Sequence, residues 1–182
     1  MDKLDQYNIV EIKHFVLYIL KKSTNKDYIF INKMIYLIYQ SQLMDTCHPV
    51  VKDIFIVRDD IPYLRILDVL MNTNNLPDSK PIRMFKKSIE LKDGKLISHS
   101  KPNMDYISKY TKDKIDESFK STEYTDYVDK YFHLDTYKLE LNPADIVYDC
   151  FKEMMDSVNQ TLLLEESQFY PKWLNKIVEP KV

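Results

Sequence analysis

Residues 29–44 read Ile29-Phe30-Ile31-Asn32-Lys33-Met34-Ile35-Tyr36-Leu37-Ile38-Tyr39-Gln40-Ser41-Gln42-Leu43-Met44, and they decide the fold. A surface helix is apolar along one stripe only. Here Ile29, Phe30, Ile31, Met34, Ile35, Tyr36, Leu37, Ile38 and Tyr39 cover nearly the whole circumference, so the helix must be enclosed by other elements. The expectation is a mainly α (α+β) domain, with several helices packed around a central buried helix at about 29–44.

On the N-terminal side, Ile9, Ile12, Phe15, Val16, Ile19 and Leu20 recur at helical spacing with Glu11, His14, Lys21 and Lys22 opposite, which predicts an amphipathic helix over 9–22. On the C-terminal side, the β-branched and aromatic run from Val50 to Val57 is either a short strand or an extended connection. Asp59-Asp60-Ile61-Pro62 reads as an acidic cap and first-turn proline for a third helix that carries Leu64, Leu67 and Met71 on one face. The asparagine- and proline-rich stretch from Asn72 to Pro81 is a surface loop. A β-hairpin follows at about 85–99, centred on Ile89-Glu90-Leu91-Lys92-Asp93-Gly94-Lys95-Leu96-Ile97, because Asp-Gly tolerates the positive φ angles of a two-residue turn.

Ser108 or Thr111 can cap a helix that ends near Phe119, and Glu123 to Phe132 forms another with Tyr124, Tyr127, Val128 and Tyr131. Asn142-Pro143-Ala144-Asp145 opens the longest helix, with an apolar stripe of Ile146, Val147, Cys150, Phe151, Met154, Met155, Val158 and Leu162. A last short helix surrounds Trp173. The 182 residues are read as one domain, 1–182, whose residues 142–182 are a C-terminal helical extension.

Composition narrows the function. A single glycine, Gly94, cannot furnish a phosphate-cradling loop, a dinucleotide fingerprint or a nucleophile elbow, each of which needs glycines where backbone approaches a ligand or turns sharply. The net charge is only −2, and of 26 basic residues just Arg58, Arg65 and Arg83 are arginines. Bidentate forks for guanine or phosphate are therefore few, and nucleic acid is not the favoured partner. Lys109, Lys112, Lys114 and Lys120 could suggest a recognition helix but are diluted by Asp113, Asp116 and Glu117, so any DNA affinity should be non-specific and lost at modest salt. Cys47 and Cys150 lie far apart with no export signal before them, which points to free thiols in a reducing, cytoplasmic setting. No apolar run approaches the length of a membrane span.

No catalytic constellation emerges. Cys47-His48 is the one adjacent pair of zinc-type ligands, with His14, His99 and His133 remote, so neither a metal nor another cofactor is expected. Asp59-Asp60 and Glu165-Glu166 read as helix-end charges rather than an acid–base pair, and Cys150 lies on an apolar stripe with no histidine beside it. The chain reads as a non-enzyme. Fourteen tyrosines favour macromolecular contact instead, since tyrosine buries a large ring while keeping a hydroxyl available.

Three segments, in order, resemble the Panacea-domain (SocA-like) antitoxins. Ile31-Asn32-Lys33-Met34-Ile35-Tyr36-Leu37-Ile38-Tyr39-Gln40 is similar to the family's central helix, a lysine followed by a leucine- and tyrosine-rich turn. Asp60-Ile61-Pro62-Tyr63-Leu64-Arg65-Ile66-Leu67 stands where the family has a Gly-Pro-Val-like helix start, with Ile61 in place of the usual glycine. Pro102-Asn103-Met104-Asp105-Tyr106-Ile107-Ser108 and the charged helix after it resemble the family's aspartate-to-Leu-Ser helix entry. The resemblance covers about residues 9–133; the family's C-terminal Thr-His turn is not recognisable before Pro143.

The resemblance implies an antitoxin of a bacterial or phage toxin–antitoxin module that neutralises a cognate toxin by direct binding, without a cofactor. Some members of that group act as protease adaptors. A DNA-binding regulator is the alternative from another class, and a homo-oligomer is compatible with either. Candidate partner contacts are Tyr36, Tyr39, Asp60, Pro62 and Tyr63 on the resembling segments. Met154 and Met155 join them, because flexible methionines suit surfaces that adapt to a partner.

Overall fold

Helix α1 (Gln6–Lys22) leads into the central helix α2 (Tyr28–Thr46) in the computed structural model, which describes residues 6–157 except 137 and 154. Then come strands β1 (Phe55–Arg58) and β2 (Ile61–Leu64), helices α3 (Arg65–Asn72) and α4 (Lys80–Ser88), and strands β3 (Ile89–Lys92) and β4 (Lys95–Ser98). A 3-10 turn at Met104–Tyr106 precedes α5 (Lys109–Ser118), α6 (Thr122–Tyr131) and the two-residue strand β5 (Glu140–Leu141). The chain divides into two compact units, Met1–Pro143 and Ala144–Val182.

The first unit is mainly helical, as expected, with two small antiparallel sheets rather than the single hairpin the sequence predicts. Asp27 starts α2 by accepting the backbone N–H groups of Ile29 and Phe30 at 2.9 and 3.1 Å, and Cys47 closes it in the left-handed region at φ 56°. Burial runs around α2, as its sequence requires, and includes Asn32 and Lys33. Helix α1 departs from expectation: residues 12–20 are buried without a break, so His14 lies inside rather than on a polar face. The reason is crowding, since α2, α4, α5, β4 and the 3-10 turn all pack on α1.

The β3–β4 hairpin forms as predicted, with positive φ at Asp93 and Gly94 (51° and 73°). Its start is later than expected, because residues up to Ser88 belong to α4, a helix hidden in a segment with few apolar residues. Helix α4 buries only Ile82, Phe85 and Ser88.

The acidic pair Asp59-Asp60 is a correction. It does not cap a helix; it turns the first hairpin of the chain, with φ of 51° and 60°, so that Arg58 faces Ile61 and Phe55 faces Leu64 across β1 and β2. Pro62 accordingly lies in a strand, not in a first helical turn. The acid at the start of α3 comes instead from Asp53, whose buried carboxylate accepts the Ile66 N–H at 2.6 Å and the Arg65 Nε–H at 3.1 Å. Burial pushes the Asp53 carboxyl up, opposed by the Ile66 and Ile54 amides and by Arg65.

Residues 143–153 and 155–157 are helical, in keeping with the Pro143 start, and from Ala144 onward they belong to the second unit. Ile146 is buried, whereas Tyr148, Phe151 and Met155 are exposed. Met154, Val158, Leu162, Glu165, Glu166 and the expected helix around Trp173 lie outside the described residues. No helix among the described residues is long and apolar enough to cross a membrane.

Candidate protein-binding surface

Helix α6 reads Thr122-Glu123-Tyr124-Thr125-Asp126-Tyr127-Val128-Asp129-Lys130-Tyr131, with one aliphatic residue. Ser121 caps it by accepting the Tyr124 N–H at 3.1 Å, and Val128 is fully buried. A single valine contributes only about 1.5–3 kcal/mol of burial, and an isolated ten-residue helix is marginal in water. Something else must hold α6 in place.

The anchor comes from the centre of the fold. Lys33 on α2, 4% exposed, donates from Nζ to the carbonyls of Val128 (3.4 Å) and Asp129 (3.1 Å). A cation there meets carbonyls of the last helical turn, where the helix dipole favours positive charge. Burial lowers the Lys33 pKa, while Asp129 and Asp27 act to raise it. Three residues along α2, Tyr36 packs on Phe132 just beyond α6, with ring centroids 6.0 Å apart. The chain then returns to the first hairpin, where the Leu134 N–H donates to the Asp60 carbonyl at 2.8 Å and the Val57 N–H to Leu139 at 2.8 Å.

A helix fixed along one seam presents the rest of itself to solvent. Tyr124, Tyr127 and Tyr131, at i, i+3 and i+7, are 39%, 57% and 67% exposed. The rings of Tyr127 and Tyr131 lie 5.8 Å apart at 39° to one another. Around them Glu123, Asp126, Asp129 and Lys130 are exposed. Burial raises the Tyr124 pKa, so its hydroxyl stays protonated and can donate. Large, rigid rings with polar tips, held on a preorganised helix, are the groups that dominate binding energy at protein interfaces.

Among the sequence-predicted contacts, Asp60, Pro62 and Tyr63 do cluster, on the β1–β2 hairpin. Asp60 is exposed, Tyr63 is half-buried under Arg58 (5.1 Å from guanidinium to ring centroid), and Pro62 is buried. Arg58 also pairs with the buried carboxylate of Asp68, which accepts from the Tyr28 hydroxyl at 3.2 Å and Asn72 Nδ2 at 2.8 Å. This network ties the hairpin to α2 and α3. Tyr36 and Tyr39 are core residues, each meeting the Phe55 ring edge-on at 5.1 Å, so neither ring is open to a partner. Met155 is exposed in the second unit. The tyrosines of α6 went unassigned as contacts, although one aliphatic residue among three tyrosines was the signal that they cannot all be core.

Among the described residues no group of three or more His, Cys, Asp or Glu is placed to hold a metal ion. Cys47 is exposed and Cys150 half-buried. No family model, curated protein or solved structure matches the chain.

Proposed function

We propose that this chain is a protein-binding antitoxin that neutralises a cognate toxin by direct contact in the cytoplasm, with the tyrosine face of α6 as the main contact. The observation that carries the reading is three exposed tyrosines on one stripe of a helix that the buried Lys33 pins to the core. Ordering this helix before the encounter removes an entropic cost from binding. The resemblance to Panacea-domain antitoxins supports it, because two of the three segments that carry the likeness bear on α6: α2 through Lys33 and Tyr36, and the Asp60 turn through the Leu134 N–H just beyond the helix. The third leads into α5.

The decisive experiment is co-expression with the product of the adjacent reading frame. That product should arrest growth alone and be tolerated with this chain, and the two should co-purify. A harmless neighbour, or rescue with no physical complex, would sink the proposal. Delivery of the toxin to a protease, the neighbouring reading, predicts that toxin levels fall during rescue, whereas neutralisation by contact leaves them unchanged.

A further inference from the structure

The chain's charge is unevenly distributed. Between Lys80 and Lys101 stand seven basic residues, Lys80, Arg83, Lys86, Lys87, Lys92, Lys95 and Lys101, against Glu90 and Asp93, a net of +5 in a chain whose total is −2. The segment comprises α4, the β3–β4 hairpin and the three residues after it, and all seven basic side chains are exposed. Helix α4 turns Ile82 and Phe85 inward and leaves Lys80, Arg83 and Lys87, at i, i+3 and i+7, on the outside. On the hairpin, Ile89 and Leu96 are buried while Lys92 and Lys95 are exposed.

Some of this charge has internal work. Arg83 pairs with Asp78 through two 2.7 Å hydrogen bonds, Lys86 donates to the Thr73 carbonyl at 3.1 Å, and Glu90 meets His99 at 2.9 Å. Lys80, Lys87, Lys92, Lys95 and Lys101 form no ion pair or side-chain hydrogen bond among the described residues. Lys92 and Lys95 are directly opposed across the strand register, a like-charge pairing that costs stability. Lys26 lines the same groove as these two, although its ammonium is held by the Leu20 and Ser23 carbonyls at the end of α1. Asp27 is the nearest acid on the connecting segment, bridging to Lys95 through the backbone and directing its carboxylate to the start of α2.

We infer that the outward side of α4 and the β3–β4 hairpin is a docking surface for the phosphate backbone of duplex nucleic acid, independent of base sequence. Lysine ammoniums are point charges suited to phosphates without fixed geometry, and the one arginine here is already engaged. The lysines are spread along a helix and a hairpin each about 13 Å long, which suits a polymer bearing a charge every ~1.7 Å rather than one small anion. The segment's one Phe, Tyr or Trp side chain, Phe85, is buried, and the exposed His99 ring is held by Glu90, so there is no free platform on which single-stranded bases could stack. This inference does not depend on the α6 face.

The test uses the full chain and a labelled duplex of about 20 base pairs, titrated by fluorescence anisotropy from low to physiological salt. Binding should be equal for unrelated duplex sequences, and log affinity should fall against log salt with a slope of about −3 to −5, as four or five phosphate contacts require. The triple variant Lys87→Gln, Lys92→Gln, Lys95→Gln should weaken binding at least tenfold at low salt and flatten the slope by about 2–3, with melting unchanged or slightly raised as the opposed Lys92–Lys95 charges go. A control of equal charge, Lys109→Gln, Lys112→Gln, Lys120→Gln on and just after α5, should bind nearly as wild type. Absence of duplex binding at low salt, or equal losses in both triples, would overturn the inference. So would stronger retention by polyglutamate or by phosphatidylserine vesicles, which would make the surface one for acidic protein or for membrane.

Discussion

Lys33 Nζ donates to the Asp129 carbonyl at 3.1 Å, joining the second turn of the central helix to the last turn of α6 across 96 positions of chain. A buried lysine is costly unless its donors are satisfied, and this one is satisfied by carbonyls that would otherwise end a helix unpaired. Lys33→Met keeps the apolar stem and removes the donor. It should lower stability by about 1.5–3 kcal/mol, the range for hydrogen bonds to charged groups, and should raise hydrogen exchange in α6 selectively. Unaltered exchange at residues 122–131 would show that α6 is held by something else.

The tyrosine face makes the opposite prediction. Tyr127→Ala combined with Tyr131→Ala removes exposed rings, so stability should change by about 0.5 kcal/mol or less. Partner affinity should fall by about 2 kcal/mol or more, and rescue in the co-expression assay should be lost. Normal rescue by a folded double variant would exclude α6 as the contact.

His14 supplies a pH dependence. Its Nδ1 accepts the Asn103 N–H at 3.0 Å and its ring stacks on Tyr106 at 4.7 Å. Burial first, and Lys13 second, hold its pKa below the ordinary value of 6.5. The folded state therefore binds the proton less readily than the unfolded chain, so the stabilisation is fully present above about pH 6.5 and is lost as pH falls through the depressed folded value. Melting temperature should drop between about pH 7 and pH 5, and His14→Gln should flatten that drop. The remaining histidines, His48, His99 and His133, are exposed. A variant with the same pH profile as wild type would assign the effect elsewhere.

At the first hairpin, Asp60 holds φ 60° without being glycine. Asp60→Gly recreates the Asp-Gly turn that the second hairpin already uses at Asp93-Gly94, and should stabilise the chain by about 0.5–1 kcal/mol because the left-handed conformation costs a side chain more than glycine. The same variant tests the contact role of the Asp60 carboxylate. Greater stability with intact rescue assigns Asp60 to the turn alone; destabilisation would contradict the strain argument.

Much of the fold was legible because its signals are local. All-round hydrophobicity marks α2, Asp93-Gly94 marks the β3–β4 hairpin, Ser108 marks the start of α5, and the spacing of Tyr124, Tyr127, Val128 and Tyr131 marks α6. The errors have one physical origin, that the deciding partner is distant in sequence. Asp59-Asp60 resembles a helix cap until Asp53 is seen to occupy that role, and a turn with two positive φ angles but no glycine leaves no local trace. Helix α4 lacked a long apolar stripe because Ile82 and Phe85 suffice to seat so short an element. The candidate surface was half legible: its tyrosines were placed on a helix, but which side faces water depends on Lys33, 96 positions upstream of Asp129.

The edge of the three-stranded sheet bears on how any partner can approach. Strand β2 is outermost, and its outward donors are closed: Pro62 has no N–H, and the Leu64 N–H donates to the Asn32 side chain at 3.1 Å, whose own amide donates back to Tyr28 at 2.9 Å. A neighbouring chain finds no outward N–H on β2 with which to extend the sheet from that edge, whether as a functional guest or as the first step of cross-β aggregation. Recognition on this side must go through side chains, and a crowded solution that would otherwise find a sticky ribbon meets an edge with its donors closed.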